Sequence, residues 1–190
     1  MKSKLCTLLV LLIGSITIAN AQLQKGTVLI GADLANFDIG LKEGDAFVMS
    51  LSPKAAWFIK DKIALGAYVD FGLATAKDAG ETINYGVGAL GRYYFSKEEI
   101  KIGPTVFFGE ANVGIEGVNS AGGNSTNGLG IGFGPGLAYF INSNIALETL
   151  LKYKGVIGFG SETTSSRLQL NLGFQIYLAS SKVKSEIKKL

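Results

Sequence analysis

Ile63-Ala-Leu-Gly-Ala-Tyr-Val-Asp-Phe-Gly-Leu73 decides the fold of this chain. Its odd positions, Ile63, Leu65, Ala67, Val69, Phe71 and Leu73, are all apolar. The even positions between them, Ala64, Gly66, Tyr68, Asp70 and Gly72, are small, polar or charged. A strand turns successive side chains to opposite faces, so this period of two gives one apolar face. A helix would scatter the same residues around its axis.

The pattern recurs along the chain. Phe47–Ile59, Ile83–Phe95, Leu129–Tyr139, Ile145–Tyr153 and Leu168–Leu178 each alternate in the same way. Opposite the apolar positions of Leu129–Tyr139 stands a glycine row, Gly128, Gly130, Gly132, Gly134 and Gly136. Ile100–Phe108 reads as a further strand, with Ile100, Ile102, Pro104, Val106 and Phe108 on its apolar face. A first strand over Gly26–Ile39 switches face after Leu34, which predicts a bulge near Ala35-Asn36. The predicted count is eight strands. Three connections are tight: Lys60-Asp61-Lys62, Ser96-Lys97-Glu98-Glu99 and Asn142-Ser143-Asn144. An aromatic pair precedes each of them: Trp57-Phe58, Tyr94-Phe95 and Tyr139-Phe140. The longest connection is the Gly/Ser/Asn stretch Glu116–Asn127, read as a loop.

Alternation alone does not say which face is outside. A soluble lipid-carrying barrel turns the apolar face inward, and a membrane barrel turns it outward. The polar face here is poor in Lys and Glu and rich in Gly and Ala. That suits a narrow eight-strand interior better than a solvated surface. The aromatics Trp57, Tyr93, Phe95 and Tyr139 cluster beside the tight turns, where an interfacial girdle would lie. The expected fold is an all-β, eight-stranded antiparallel up-and-down transmembrane barrel, apolar side outward.

On these features the chain resembles the small eight-stranded outer-membrane barrels, the OmpA/OmpX-like β-barrel family. The aromatic pair, short polar turn and Ile-Ala-Leu-Gly phrase at Ile63–Gly66 resemble that family's periplasmic hairpins. Asn171-Leu-Gly173-Phe-Gln-Ile176-Tyr-Leu178 resembles its terminal-strand signal. The resemblance implies a location in the outer membrane of a Gram-negative-type bacterium, contact with its lipid, and recognition of Asn171–Leu178 by the barrel-assembly machinery. It also implies a monomer. Family members often end on an aromatic residue, whereas this chain runs on to Leu190.

The ends of the chain fit an exported protein. Lys2 and Lys4, the apolar run Leu5–Ile18 and Ala19-Asn20-Ala21 follow the order of a secretory signal peptide, so residues 1–21 are expected to be cleaved. The barrel is assigned to residues 22–180, and residues 181–190, with four lysines, to a basic periplasmic tail. Cys6 falls inside the leader, so the mature chain holds no disulfide or thiolate site.

Among 190 residues there is no His, which removes Ser–His–Asp and Cys–His catalysis and His-ligated metal. The enzymes of the family rely on a histidine, so the resemblance implies no activity of those types. A formal net charge of +3 gives no case for nucleic acid. Gly86-Val-Gly88-Ala-Leu-Gly91 spells a dinucleotide fingerprint, but Arg92-Tyr93-Tyr94-Phe95 continues a strand where that motif requires a helix. No cofactor and no metal are expected.

The candidate site is the polar face itself. Asp33, Lys54, Asp70, Arg92, Lys101, Glu148, Lys152, Lys154 and Arg167 fall on it, and enclosed charges must pair or reach water. They are expected to form a neutralising plug or to line a narrow polar path past the glycine row. Arg92 and Glu148 lie at similar distances from tight turns, which predicts that they interact directly or through one partner. The functional expectation is a non-enzymatic role in envelope structure or surface contact, the latter through the Glu116–Asn127 loop. A transport module for a small or apolar solute is the first alternative, and a secreted soluble lipid-binding barrel is the second.

Overall fold

A computed structural model of the chain describes residues 23–39, 47–76, 80–95, 104–120, 126–159 and 164–179. The leader, the Ser181–Leu190 tail, the Ser96–Glu99 turn and Lys101 lie outside them. The described residues form eight strands: β1 Val28–Ile39, β2 Phe47–Lys60, β3 Ile63–Ala76, β4 Gly80–Tyr94, β5 Thr105–Ser120, β6 Thr126–Phe140, β7 Ile145–Gly158 and β8 Thr164–Leu178. Each pairs antiparallel with its neighbours in sequence, and β8 returns to β1, so the sheet closes.

The register fixes the shape. From Leu29, pairs lead across the strands through Ala56, Gly66, Leu90, Asn112, Gly132 and Lys154 to Arg167 on β8. Leu29's own partner on β8 is Tyr177, ten residues further on. With eight strands and ordinary strand spacings, a ten-residue stagger gives a tilt of about 40° and a backbone radius of about 8 Å. Such an interior holds side chains and little else.

Outside, the predicted apolar face is exposed. Leu65, Val69 and Phe71 on β3 are 50%, 49% and 48% exposed, and the pattern continues through Val87, Val113, Ile131, Leu151 and Leu172. Along the outward positions of β2 to β8 the charged residues are Lys60 and Glu81, at opposite margins. Trp57, Tyr93, Phe95 and Tyr139 all face outward near the tight turns, and Tyr93 meets Phe95 edge-on at 5.3 Å. One member of each aromatic pair points inward: Phe58, Tyr94 and Phe140 are buried.

The tight turns are built locally. Asn142 Oδ1 accepts from the backbone N–H groups of Asn144 and Ile145 at 2.8 and 2.9 Å, an Asx turn that reverses the chain between β6 and β7. Lys62, at φ 66°, takes the left-handed position of the β2–β3 turn. The bulge in β1 falls where the face switch placed it, between Ala35 and Asp38.

β5 differs from the sequence reading in two ways. It runs to Ser120 rather than ending near Phe108, and β6 starts at Thr126, so most of the expected Glu116–Asn127 loop is strand. The Gly/Asn/Ser composition suggested a loop, but its glycines stand where neighbours need room. A Cβ at Gly114 would meet Tyr68 Oη at 2.7 Å, and one at Gly117 would meet the Tyr85 ring. The phase of Thr105–Phe108 is also reversed. Val106 and Phe108 are buried, at 3% and 0% exposed, because they fill the barrel's narrow turn-side end.

The glycine row of β6 is likewise occupied. Phe108 lies against Gly136, Asn112 against Gly132 and Glu116 against Gly130, so β5 side chains cover the space that the glycines leave. Gly136→Val is therefore expected to drive a methyl into the Phe108 ring and to cost about 1–3 kcal/mol, the usual penalty of overpacking. Gly109→Val, at an outward site with nothing within 4 Å of the added Cβ, should leave stability unchanged. Thermal unfolding of the two variants in detergent compares them directly.

Candidate functional site

The interior is layered from the tight-turn end upward. The first layer is aromatic. Tyr94 stacks on Phe58 at 5.5 Å and lies 5.5 Å from Phe108, while Tyr177 packs 5.0 Å from Phe140. Leu29, Ala64, Ala146 and Leu150 fill the gaps between these rings. Side chains thus close the turn-side end of the lumen.

Above the rings lies a buried ionic network contributed by six strands. Lys54 on β2 donates to Asp33 on β1 at 2.6 Å and to Glu110 on β5 at 3.0 Å. Arg92 on β4 donates through Nε to Glu110 at 2.6 Å and through Nη1 to Glu148 on β7 at 2.8 Å. Arg92 and Glu148 therefore meet directly, and the Arg92 guanidinium also lies 4.4 Å over the Phe108 ring. Tyr177 on β8 donates to the second oxygen of Glu148 at 2.7 Å, and its hydroxyl lies 3.0 Å from that of Tyr94. Gln175, also on β8, donates to Asp33 at 2.8 Å. Lys152 completes the group, 3.8 Å from Glu110 and over the Tyr68 ring.

Three carboxylates, Asp33, Glu110 and Glu148, thus balance three cations, Lys54, Arg92 and Lys152. All six residues are at most 5% exposed. Charges enclosed this way are held only by mutual pairing, since transfer from water costs each of them several kcal/mol.

Nearer the loop end sits a second, half-buried group. Lys154 donates to Asp70 at 2.6 Å and lies 3.0 Å from Glu116, and Ser52 donates to Asp70 at 2.6 Å. Arg167 stands apart: it has lumen-facing parity and registers opposite Lys154, yet it is exposed at the loop end. Glu110, Asn112 and Glu116 belong to this interior and were absent from the sequence-based set. The signal that could have found them is the alternation of Ala111, Val113 and Ile115 with Asn112, Gly114 and Glu116. Among the described residues no group of His, Cys, Asp and Glu has a metal-binding arrangement.

An apolar exterior, charged only at its margins, around a narrow, ion-paired interior defines the small eight-stranded barrel of the outer-membrane type. No family model matches the chain, and no curated protein matches it in sequence. Solved structures share its fold. The N-terminal β-barrel domain of Pseudomonas aeruginosa OprF is similar with a TM-score of 0.53 and 15% identity, over 81% of this chain and 98% of that one. Neisserial surface protein A is similar with a TM-score of 0.54 and 19% identity, over 79% and 95% of the two chains.

The network makes Glu110 its pivot, because three cations converge on it and two groups, Arg92 and Tyr177, on Glu148. Glu110→Gln is expected to cost about 3 kcal/mol or more, and Glu148→Gln less. Adding Lys54→Met to Glu110→Gln should recover part of the loss. Strict additivity of the two substitutions in thermal or denaturant unfolding would refute the coupling.

Proposed function

We propose that the chain resides in the outer membrane of a Gram-negative-type bacterium as a monomeric, non-enzymatic barrel. Its work is structural or done by surface contact at the loop end, and no solute passes along its axis. The observation that carries this reading is the filled lumen: an aromatic floor beneath a buried, charge-balanced network. The apolar exterior supports the membrane assignment, since closing the sheet satisfies its strand backbones without water. It also weighs against a soluble lipid carrier, whose interior would have to be apolar and roomy.

The absence of His supports a non-enzymatic role. So does the state of the buried carboxylates, because Glu110 and Glu148 are both engaged by Arg92 instead of facing an open site. The Asn171–Leu178 segment, which alternates inward and outward along β8, is proposed as the part that the barrel-assembly machinery reads.

In the outer-membrane fraction, the unboiled protein is expected to run faster in SDS gels than the boiled protein, because a closed barrel resists the detergent until heated. Recovery from soluble periplasm with no such shift would overturn the assignment. Liposomes containing the purified barrel should swell in a small sugar no faster than protein-free liposomes. Measurable swelling would favour the transport reading instead.

A further inference from the structure

Two lysines inside the barrel each touch one aspartate and one glutamate. Lys54 Nζ lies 2.6 Å from Asp33 Oδ2 and 3.0 Å from Glu110 Oε2. Lys154 Nζ lies 2.6 Å from Asp70 Oδ2 and 3.0 Å from Glu116 Oε2. Burial separates the two triads. The side chains of Lys54, Asp33 and Glu110 are 2%, 3% and 1% exposed, against 15%, 14% and 8% for Lys154, Asp70 and Glu116.

Strand register holds the buried triad in place. Gly31 registers with Lys54 and Asp33 with Ser52, so Asp33 and Lys54 are diagonal neighbours on the inward face of β1 and β2. Gln175 Nε2 donates at 2.8 Å to Asp33 Oδ1, the oxygen that Lys54 does not take. Gly173, the β8 partner of Asp33, has no Cβ to strike that carboxyl group, which leaves it room to turn.

We propose that Lys54 and Asp33 join in an intramolecular isopeptide bond, formed once by the folded barrel itself. A proton crosses the Lys54–Asp33 hydrogen bond and converts the ion pair into an amine and a carboxylic acid. The Nζ lone pair attacks Asp33 Cγ, and Gln175 Nε2 stabilises the negative charge that develops on Oδ1. Glu110 takes a second proton from Nζ and passes it to Oδ2. The Cγ–Oδ2 bond breaks, one water leaves, and Glu110 is again a carboxylate. No oxidant, reductant or co-reactant is consumed.

The surroundings favour the amide over the ions. Solvation that would hold the pair apart in water is withheld here, and an amide carries no charge to desolvate. Glu110 and Glu148 then remain with Arg92 and Lys152, so the network stays balanced. Gln175 Oε1, buried without a hydrogen-bond partner, offers an acceptor to the departing water. Around the more exposed Lys154 and Asp70, water stabilises the ions, and that pair stays ionic. The bond goes beyond the structural role above by adding a covalent tie between β1 and β2.

Protein from the outer-membrane fraction, unfolded and digested with trypsin, tests the proposal. An unbonded chain yields peptides 26–42 and 43–54. The bonded chain should yield 26–42 joined to 43–60, one water lighter than the two together, because trypsin does not cleave at an acylated lysine. Lys154 should be cleaved normally in the same digest. Glu110→Gln should lose the branched peptide. Where that variant gives no heat-shifted band, Gln175→Leu is refolded from urea into dodecyl maltoside beside the wild type. Its branched peptide should then appear more slowly, on the order of a hundredfold, the effect of one donor to a developing oxyanion.

Free 26–42 and 43–54 from wild-type protein that shows the heat-dependent gel shift overturn the bond alone. A branched peptide formed equally by Glu110→Gln, at an equal rate by Gln175→Leu, or between Lys154 and Asp70 instead, overturns the assignment. A wild-type chain with neither gel shift nor branched peptide overturns the barrel reading as well.

Discussion

Closure of the backbone hydrogen-bond ladder is the constraint on which the rest depends. In hydrocarbon an unpaired peptide group costs several kcal/mol, so a spanning sheet has to return to its own first strand. Eight strands with a ten-residue stagger do so at a radius of about 8 Å, and that radius dictates the interior. Bulky side chains on one strand require glycine on the next, which is why Tyr68 crosses Gly88 and Gly114 and Phe108 crosses Gly136. The glycines are space reserved for particular neighbours.

Within so narrow a tube, charge has one stable arrangement, which is mutual pairing. Lys54, Arg92 and Lys152 meet Asp33, Glu110 and Glu148 above a floor of packed rings, and the phenols of Tyr94 and Tyr177 tie the two layers together. A buried pair is weak evidence for net stability, since an apolar filling can do as well. Its specificity is another matter. Glu110 accepts from residues of β2 and β4 at once, so a register slip in either strand would strand a charge.

Much of this was legible in the sequence because period-two alternation is enforced by the hydrocarbon outside. Strands such as Ile63–Ala76 and Ile145–Gly158, which carry bulky apolar residues at most of their outward positions, announce both their extent and their facing. β5 is hard to read because its outward positions include Gly109, Ala111 and Gly117, too small to register as apolar, while Gly114 and Gly117 beside Asn119 and Ser120 imitate a loop. At the turn-side end both parities are apolar: Val106 and Phe108 face in while Phe107 faces away. Alternation carries no phase information there. The Arg92–Glu148 contact could be anticipated from height alone, but the central place of Glu110 depends on the register of β5 and could not.

Asp33 has a further consequence, for the order in which the molecule can assemble. It lies on the first strand, and its partners are Lys54 on the second and Gln175 on the last. Glu148 likewise waits for Tyr177 of β8. An open sheet in lipid would hold these carboxylates, together with Arg92, along an unsealed trough, with some of their partners not yet in place. Ring closure and charge neutralisation are consequently one event, and β8, the last of the eight strands in chain order, completes both.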